Sequence, residues 1–231
     1  MSIVLVKANK GGVGKSWITL QLGHGLALKN KKVLILTSDS QNNILDFAGV
    51  SSTNVSIDKW LKNESAELTK LRSNLYYLSL TSPYLTAEEE IKLETFINVA
   101  KVQFDYILID STPVLGLDKK FVEIADKIII PTFLDSVTMG SITTLMDTID
   151  PLTKVKAIIP NRVGRTKLEK DYYTYLKEII PEQIYLSVPI NQLATISKLI
   201  DTSNTIWESK NKQARNLQNV FTEILEVISD E

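Results

Sequence analysis

Short apolar runs alternate with longer amphipathic stretches along this chain. Ile3-Val4-Leu5-Val6, Val33-Leu34-Ile35-Leu36, Ile107-Leu108-Ile109 and Ile128-Ile129-Ile130 have no polar side chain. Strands of that kind belong to sheets covered by helices on both faces. The pattern predicts strands over residues 2–8, 33–36, 74–80, 104–110, 125–131, 155–162 and 183–188, the last closed by Pro189.

Between them, helical periodicity predicts helices over 15–29, from near Asn42, over 86–102, 137–148, 167–179 and about 206–229. Short helices are expected around Ile57 to Leu61 and Glu67 to Leu71, with Trp60 as a core residue. In the first helix Ile18, Leu22, Leu26 and Leu28 give the apolar face, and Gly23 and Gly25 allow close packing. The only histidine, His24, lies in that helix and reads as a packing or surface residue. The last helix turns Trp207, Leu217, Val220, Phe221, Leu225 and Ile228 inward. Strand and helix alternate with no repeat or long linker. The expected fold is therefore α/β: a single domain over 1–231 built on a doubly wound, mostly parallel sheet flanked by helices.

The junction of the first strand and first helix carries the chemistry. It reads Lys7-Ala8-Asn9-Lys10-Gly11-Gly12-Val13-Gly14-Lys15-Ser16. Strand, glycine-rich turn, helix is the setting of a phosphate-binding loop. Gly11, Gly12 and Gly14 let backbone N–H groups approach phosphate oxygens, together with that of Val13, and the helix N-terminus faces the same anion. Lys15 is placed to reach β- and γ-phosphates and the Ser16 hydroxyl to hold Mg2+. The ordinary loop pattern has glycine where Asn9 stands, and here Lys10 directly precedes Gly11-Gly12.

Two further strand ends deliver carboxylates: Asp110 closes an apolar strand, as a metal-holding residue beside a phosphate loop does, and Asp39 follows the strand at 33–36. Each could instead cap a turn. Composition narrows the rest. The chain has 231 residues, enough for a sizeable core, and a net charge of −1 announces neither nucleic acid nor membrane. The absence of cysteine excludes disulfides, thiolate zinc sites and cysteine nucleophiles. With no signal-peptide pattern and no apolar run near membrane-span length, the expected location is cytoplasmic.

The segment Lys10-Gly11-Gly12-Val13-Gly14-Lys15-Ser16 resembles the deviant Walker A motif of the ParA/MinD superfamily of P-loop ATPases, which reads Lys-Gly-Gly-x-Gly-Lys-Ser/Thr. The resemblance implies ATP and Mg2+ as cofactors and a dimer that sandwiches ATP, with Lys10 reaching the nucleotide of the opposite subunit. In the family's Asp-x-Asp-Pro-Gln motif, Asp39 and Gln41 match while Thr37 and Ser40 depart. The resemblance gives Asp39 a role in positioning the attacking water and a place near the metal. Asp110, Pro113, Leu115 and Gly116 match the family's Asp-x-Pro-Pro-x-Leu-Gly, with Thr112 at the first proline, and make 110–116 a nucleotide-responsive segment. It also implies adenine contacts from Asn161 at a strand end and from Pro189. The cluster-bearing relatives are excluded, since they need cysteines.

Three uses of such an ATPase fit the resemblance. A ParA-like positioning ATPase binds DNA without sequence preference as an ATP dimer, meets a ParB-like or other activating partner, and would be nucleoid-associated. Residues 151–219 hold eleven basic residues against six acidic ones, a surplus of five. Arg165, Lys167, Lys198, Lys210, Lys212 and Arg215 are the candidate DNA contacts; the alternative is a solvated surface. Relatives usually carry an arginine shortly after the proline matching Pro189, and Ile190-Asn191-Gln192-Leu193 supplies none. A MinD-like membrane-cycling ATPase is disfavoured because the last eleven residues carry four acids and no base. The third use is a nucleotide-dependent protein-interaction module with negligible hydrolysis.

Overall fold

The computed structural model describes residues 1–38, 43–51, 57, 68–80, 86–111 and 115–229. Among these, a nine-stranded sheet forms the middle layer. Its strands are β1 (Ser2–Val6), β2 (Val33–Thr37), β3 (Thr69–Arg72), β4 (Leu75–Ser79), β5 (Tyr106–Asp110), β6 (Lys127–Thr132), β7 (Val155–Val163), β8 (Tyr185–Leu186) and β9 (Ile190–Asn191). They lie in the order β3-β4-β2-β5-β1-β6-β7-β8, with β9 also on β7, and every pairing is parallel except β3 with β4. The described helices are α1 (Lys15–Leu28), α2 (Asn43–Ala48), α3 (Ala87–Gln103), α4 (Leu115–Ile124), α5 (Ser136–Thr148), α6 (Lys167–Ile179), α7 (Ala194–Asp201) and α8 (Lys212–Ser229).

The apolar strands feed two cores. Ile3, Leu5, Leu34, Leu36, Ile107 and Ile109 face one side, where they meet Leu93 and Phe96 of α3, Phe121 of α4, Ile142 of α5 and Leu176 of α6. Val4, Val6, Val33, Ile35 and Leu108 face the other, against Ile18, Leu22 and Leu26 of α1 and Phe221, Ile224 and Leu225 of α8. Successive residues therefore enter opposite cores, the period of a pleated strand. Gly23 places α1 on the sheet: a Cβ there would sit 3.0 Å from Leu75 and 3.1 Å from Ile35. Gly25 instead admits Leu225 of α8 and Trp207, which would meet a Cβ at 2.6 and 2.7 Å. His24 is buried, with Nδ1 2.7 Å from the Thr205 hydroxyl.

Three expectations are corrected. Leu68 to Leu71 were expected within a short helix, yet Thr69–Arg72 form β3. Thr69 and Leu71 are buried and Lys70 between them is exposed, a period of two that β4 stabilises by antiparallel pairing. The expected helix over 206–229 is broken. Ile206–Glu208 make a single 3₁₀ turn, and α8 begins only at Lys212, where the Asn211 side chain accepts the Ala214 N–H at 2.7 Å as a cap. The expected last strand over 183–188 is reduced to Tyr185–Leu186. Trp60, Asp39, Ser40, Gln41, Thr112 and Pro113 lie outside the described residues.

Candidate functional site

The C-terminal ends of β1, β2 and β5 lie side by side. Val6 pairs with Asp110, and Asp110 pairs with Thr37, so three strand ends finish at one level. Ligands of open α/β sheets bind at such ends. The loop leaving β1 turns through Gly12 (φ 77°) and Gly14 (φ 92°) into α1, with Gly14 at the N-cap. No side chain caps α1 and its first turn holds no acid, so its leading N–H groups are offered to an anion. A Cβ at Gly11 or Gly12 would meet nothing within 4 Å, which is the open cradle a phosphate requires.

Ser16 Oγ donates to Asp110 Oδ2 at 2.7 Å, and Asp110 is buried. The Thr37 hydroxyl lies 3.3 Å from both the backbone oxygen and Oδ2 of Asp110. A hydroxyl and a carboxylate already touching are hard oxygen donors of the kind Mg2+ takes, so Ser16 and Asp110 fit that ion. Among the described residues no group of three or more His, Cys, Asp or Glu could form a denser metal site. Lys15 lines the same pocket.

Lys10 does not line that pocket. Its Nζ lies 3.1 Å from Asp135 Oδ2 and 5.3 Å above the Phe133 ring. Asp135 caps α5, accepting the N–H and hydroxyl of Thr138, each at 2.7 Å. Burial resists ionisation of Asp135, but the two Thr138 bonds and the Lys10 ammonium outweigh it and hold the carboxyl below its ordinary range.

Of the two residues expected to touch adenine, Asn161 lines the pocket and Pro189 does not. Asn161 is buried, its Nδ2 donates to the Val13 backbone oxygen at 2.8 Å, and it abuts Gly14 so closely that a Cβ there would lie 2.3 Å away. One amide N–H thus braces the loop, and Asn161 also lines the pocket. Pro189 is half-buried and does not line the pocket. Sequence reasoning passed over Arg162, which takes a left-handed φ of 55°, donates to the Gly12 backbone oxygen at 3.3 Å and lines the pocket. It also passed over Trp17, although that residue directly follows Ser16. Arg165, Lys167, Lys198, Lys210, Lys212 and Arg215 are all exposed. None enters an ion pair among the described residues.

A family model described as an AAA domain matches residues 1–160. The sporulation initiation inhibitor protein Soj of Bacillus subtilis is 26% identical over 209 residues, covering 80% of this chain and 83% of its own. The chain belongs to the ParA/MinD superfamily of P-loop ATPases.

Solved structures show the superfamily's fold over almost the whole chain. A putative plasmid partition protein of Borrelia burgdorferi bound to AMPPNP superposes with a TM-score of 0.77 at 22% identity, covering 98% of each chain. The ATP complex of a Cyanothece McdA variant gives 0.81 at 18% identity, covering 100% of this chain and 97% of that one. ATP with Mg2+ is the usual cofactor set of the superfamily. Against the superfamily's second motif, Thr37 is the clearest departure. An aspartate there would set a second carboxylate against buried Asp110, whereas the threonine supplies a neutral hydroxyl. Among the described residues no helix is long and apolar enough to cross a membrane.

Proposed function

We propose that this protein is a ParA-like ATPase that binds ATP·Mg2+ between two copies and hydrolyses it slowly. It would position DNA or another cargo through non-specific DNA binding and a hydrolysis-stimulating partner. The observation that carries the dimer is Lys10: it sits within the loop motif yet points out of its own pocket, 37% exposed. In this reading Lys15 holds the β- and γ-phosphates, Ser16 and Asp110 hold Mg2+, and Asp39 positions the attacking water. Lys10 leaves Asp135 to reach the partner's nucleotide. The six exposed basic residues at the start of α6, on α7 and at the start of α8 supply the phosphate contacts.

Light scattering after size exclusion tests the dimer. With ATP and Mg2+, Asp39→Ala is expected to run as a dimer and Lys10→Ala as a monomer; a monomeric Asp39→Ala protein refutes the sandwich. DNA binding is expected only with ATP and weakens steeply with salt, so an ATP-trapped dimer that ignores DNA at low salt removes that use.

A second reading, a nucleotide-dependent interaction module with negligible hydrolysis, is favoured by Thr37. It predicts ATP-driven dimerisation with no phosphate release, alone or with a partner, and Thr37→Asp as the variant that raises turnover.

A further inference from the structure

Among the described residues, the outer ridge of α3 has no element packed over it. Leu93, Phe96, Ile97 and Ala100 turn its inner side into the core. On the opposite side Ile91 is 64% exposed and Val102 88%, with Thr95, Asn98 and Val99 exposed between them. Ile91, Thr95, Asn98 and Val102 follow one another at steps of 4, 3 and 4 residues, so they fall on one line along the helix. That spacing is the seam of a coiled coil, here with apolar ends and a polar middle.

The flank of the seam carries opposite charges. Glu94 lies beside its first half and Lys101, seven residues on, beside its second half on the same flank. Both are exposed. Glu94 Oε1 accepts Lys120 of α4 at 2.5 Å, and Lys101 enters no ion pair among the described residues.

We propose that a second copy of this chain docks on this ridge, α3 against α3, antiparallel about a twofold axis. Reversed on itself, the seam is its own complement. Ile91 meets Val102 of the partner subunit, and Thr95 meets the partner's Asn98, a hydroxyl against an amide. Glu94 meets the partner's Lys101. The axis repeats each of these contacts. A parallel pair would instead set Glu94 beside the partner's Val99. Lys10 contacts Phe133, Asp135 and Thr138, none of them on α3, so this pairing is separate from an ATP sandwich and needs no nucleotide.

Sedimentation velocity of the nucleotide-free protein, from micromolar to millimolar concentration, tests it. Wild-type protein and Lys10→Ala are both expected to pass reversibly from monomer to dimer. Val102→Asp is expected to stay monomeric. Glu94→Lys alone and Lys101→Glu alone each weaken the dimer by roughly 2- to 30-fold, the worth of two exposed ion pairs. An equimolar mixture of those two variants restores it, because each copy brings the charge that the other lacks. Loss of the Lys120 contact in Glu94→Lys cannot produce that rescue.

A wild-type protein that stays monomeric throughout overturns the proposal. So does a Val102→Asp dimer as tight as wild type, a mixture no tighter than its components, or a dimer that Lys10→Ala abolishes. Circular dichroism identifies a Val102→Asp protein that fails to fold, and Ile91→Asp then takes its place.

Discussion

The contact between Gly14 and Asn161 can be dissected by a double-mutant cycle without any nucleotide. Gly14→Ala places a Cβ 2.3 Å from Asn161 Nδ2 at a backbone φ of 92°. The dihedral alone costs about 1–3 kcal/mol for an L-residue. Displacing Asn161 also leaves the Val13 carbonyl, in a fully buried residue, without its donor, at about 1–3 kcal/mol more. Gly14→Ala is therefore expected to cost about 2–6 kcal/mol and Asn161→Ala about 1–3 kcal/mol. In the double variant the clash is gone and the bond can be lost only once. Its cost should stay near that of Gly14→Ala, short of the sum by about 1–3 kcal/mol. Urea unfolding of the ligand-free protein measures all three. A shortfall under about 0.5 kcal/mol, the scatter of independent sites, would refute the claim that Asn161 braces the loop.

Three other perturbations have worked signs. Lys7 and Asp118 form an ion pair whose side chains are 5% and 17% exposed; Lys7→Met should cost about 3–5 kcal/mol by stranding a buried carboxylate, and adding Asp118→Leu should recover most of it, read by thermal denaturation. Burial lowers the His24 pKa below 6.5, helped by Arg72 and opposed by Glu208. Its contribution is therefore full above the unfolded value and is lost as pH falls below it toward the folded one, so His24→Gln should flatten the fall in urea midpoint between about pH 7 and pH 5. Asp135→Ala removes the cap of α5, costing about 0.5–2 kcal/mol. Because it also frees Lys10, the ATP-dependent dimer should form at lower protein concentration in light scattering; a raised threshold would argue that Lys10 acts from its Asp135 contact.

Much of the order of strands and helices was legible because the central parallel strands are apolar on both faces and alternate with helical stretches, whereas the helices at Leu115–Ile124 and Ala194–Asp201 were not expected. The loop was legible because glycines and lysines at fixed spacing leave one use for that backbone. Contacts set by distant residues left no local mark. The bond from Asn161 to the Val13 backbone oxygen, 2.8 Å across 148 positions of chain, could not be read from the sequence. β3 looked helical because its partner strand, not its own composition, decides its pairing.

The matched ends of β1, β5 and β2 bear on how this chain can change length. Val6, Asp110 and Thr37 stand level because each strand is hydrogen-bonded residue by residue to its neighbour. One residue inserted into β5 would turn Asp110 toward the opposite core and break the Ser16 contact. The exposed turn at 28–32, by contrast, touches none of this, and lengthening a surface loop costs only slowly growing closure entropy. Tags, fluorophores and natural insertions are therefore accommodated at the helix-to-strand turns, while the three strands admit substitution but no change of length.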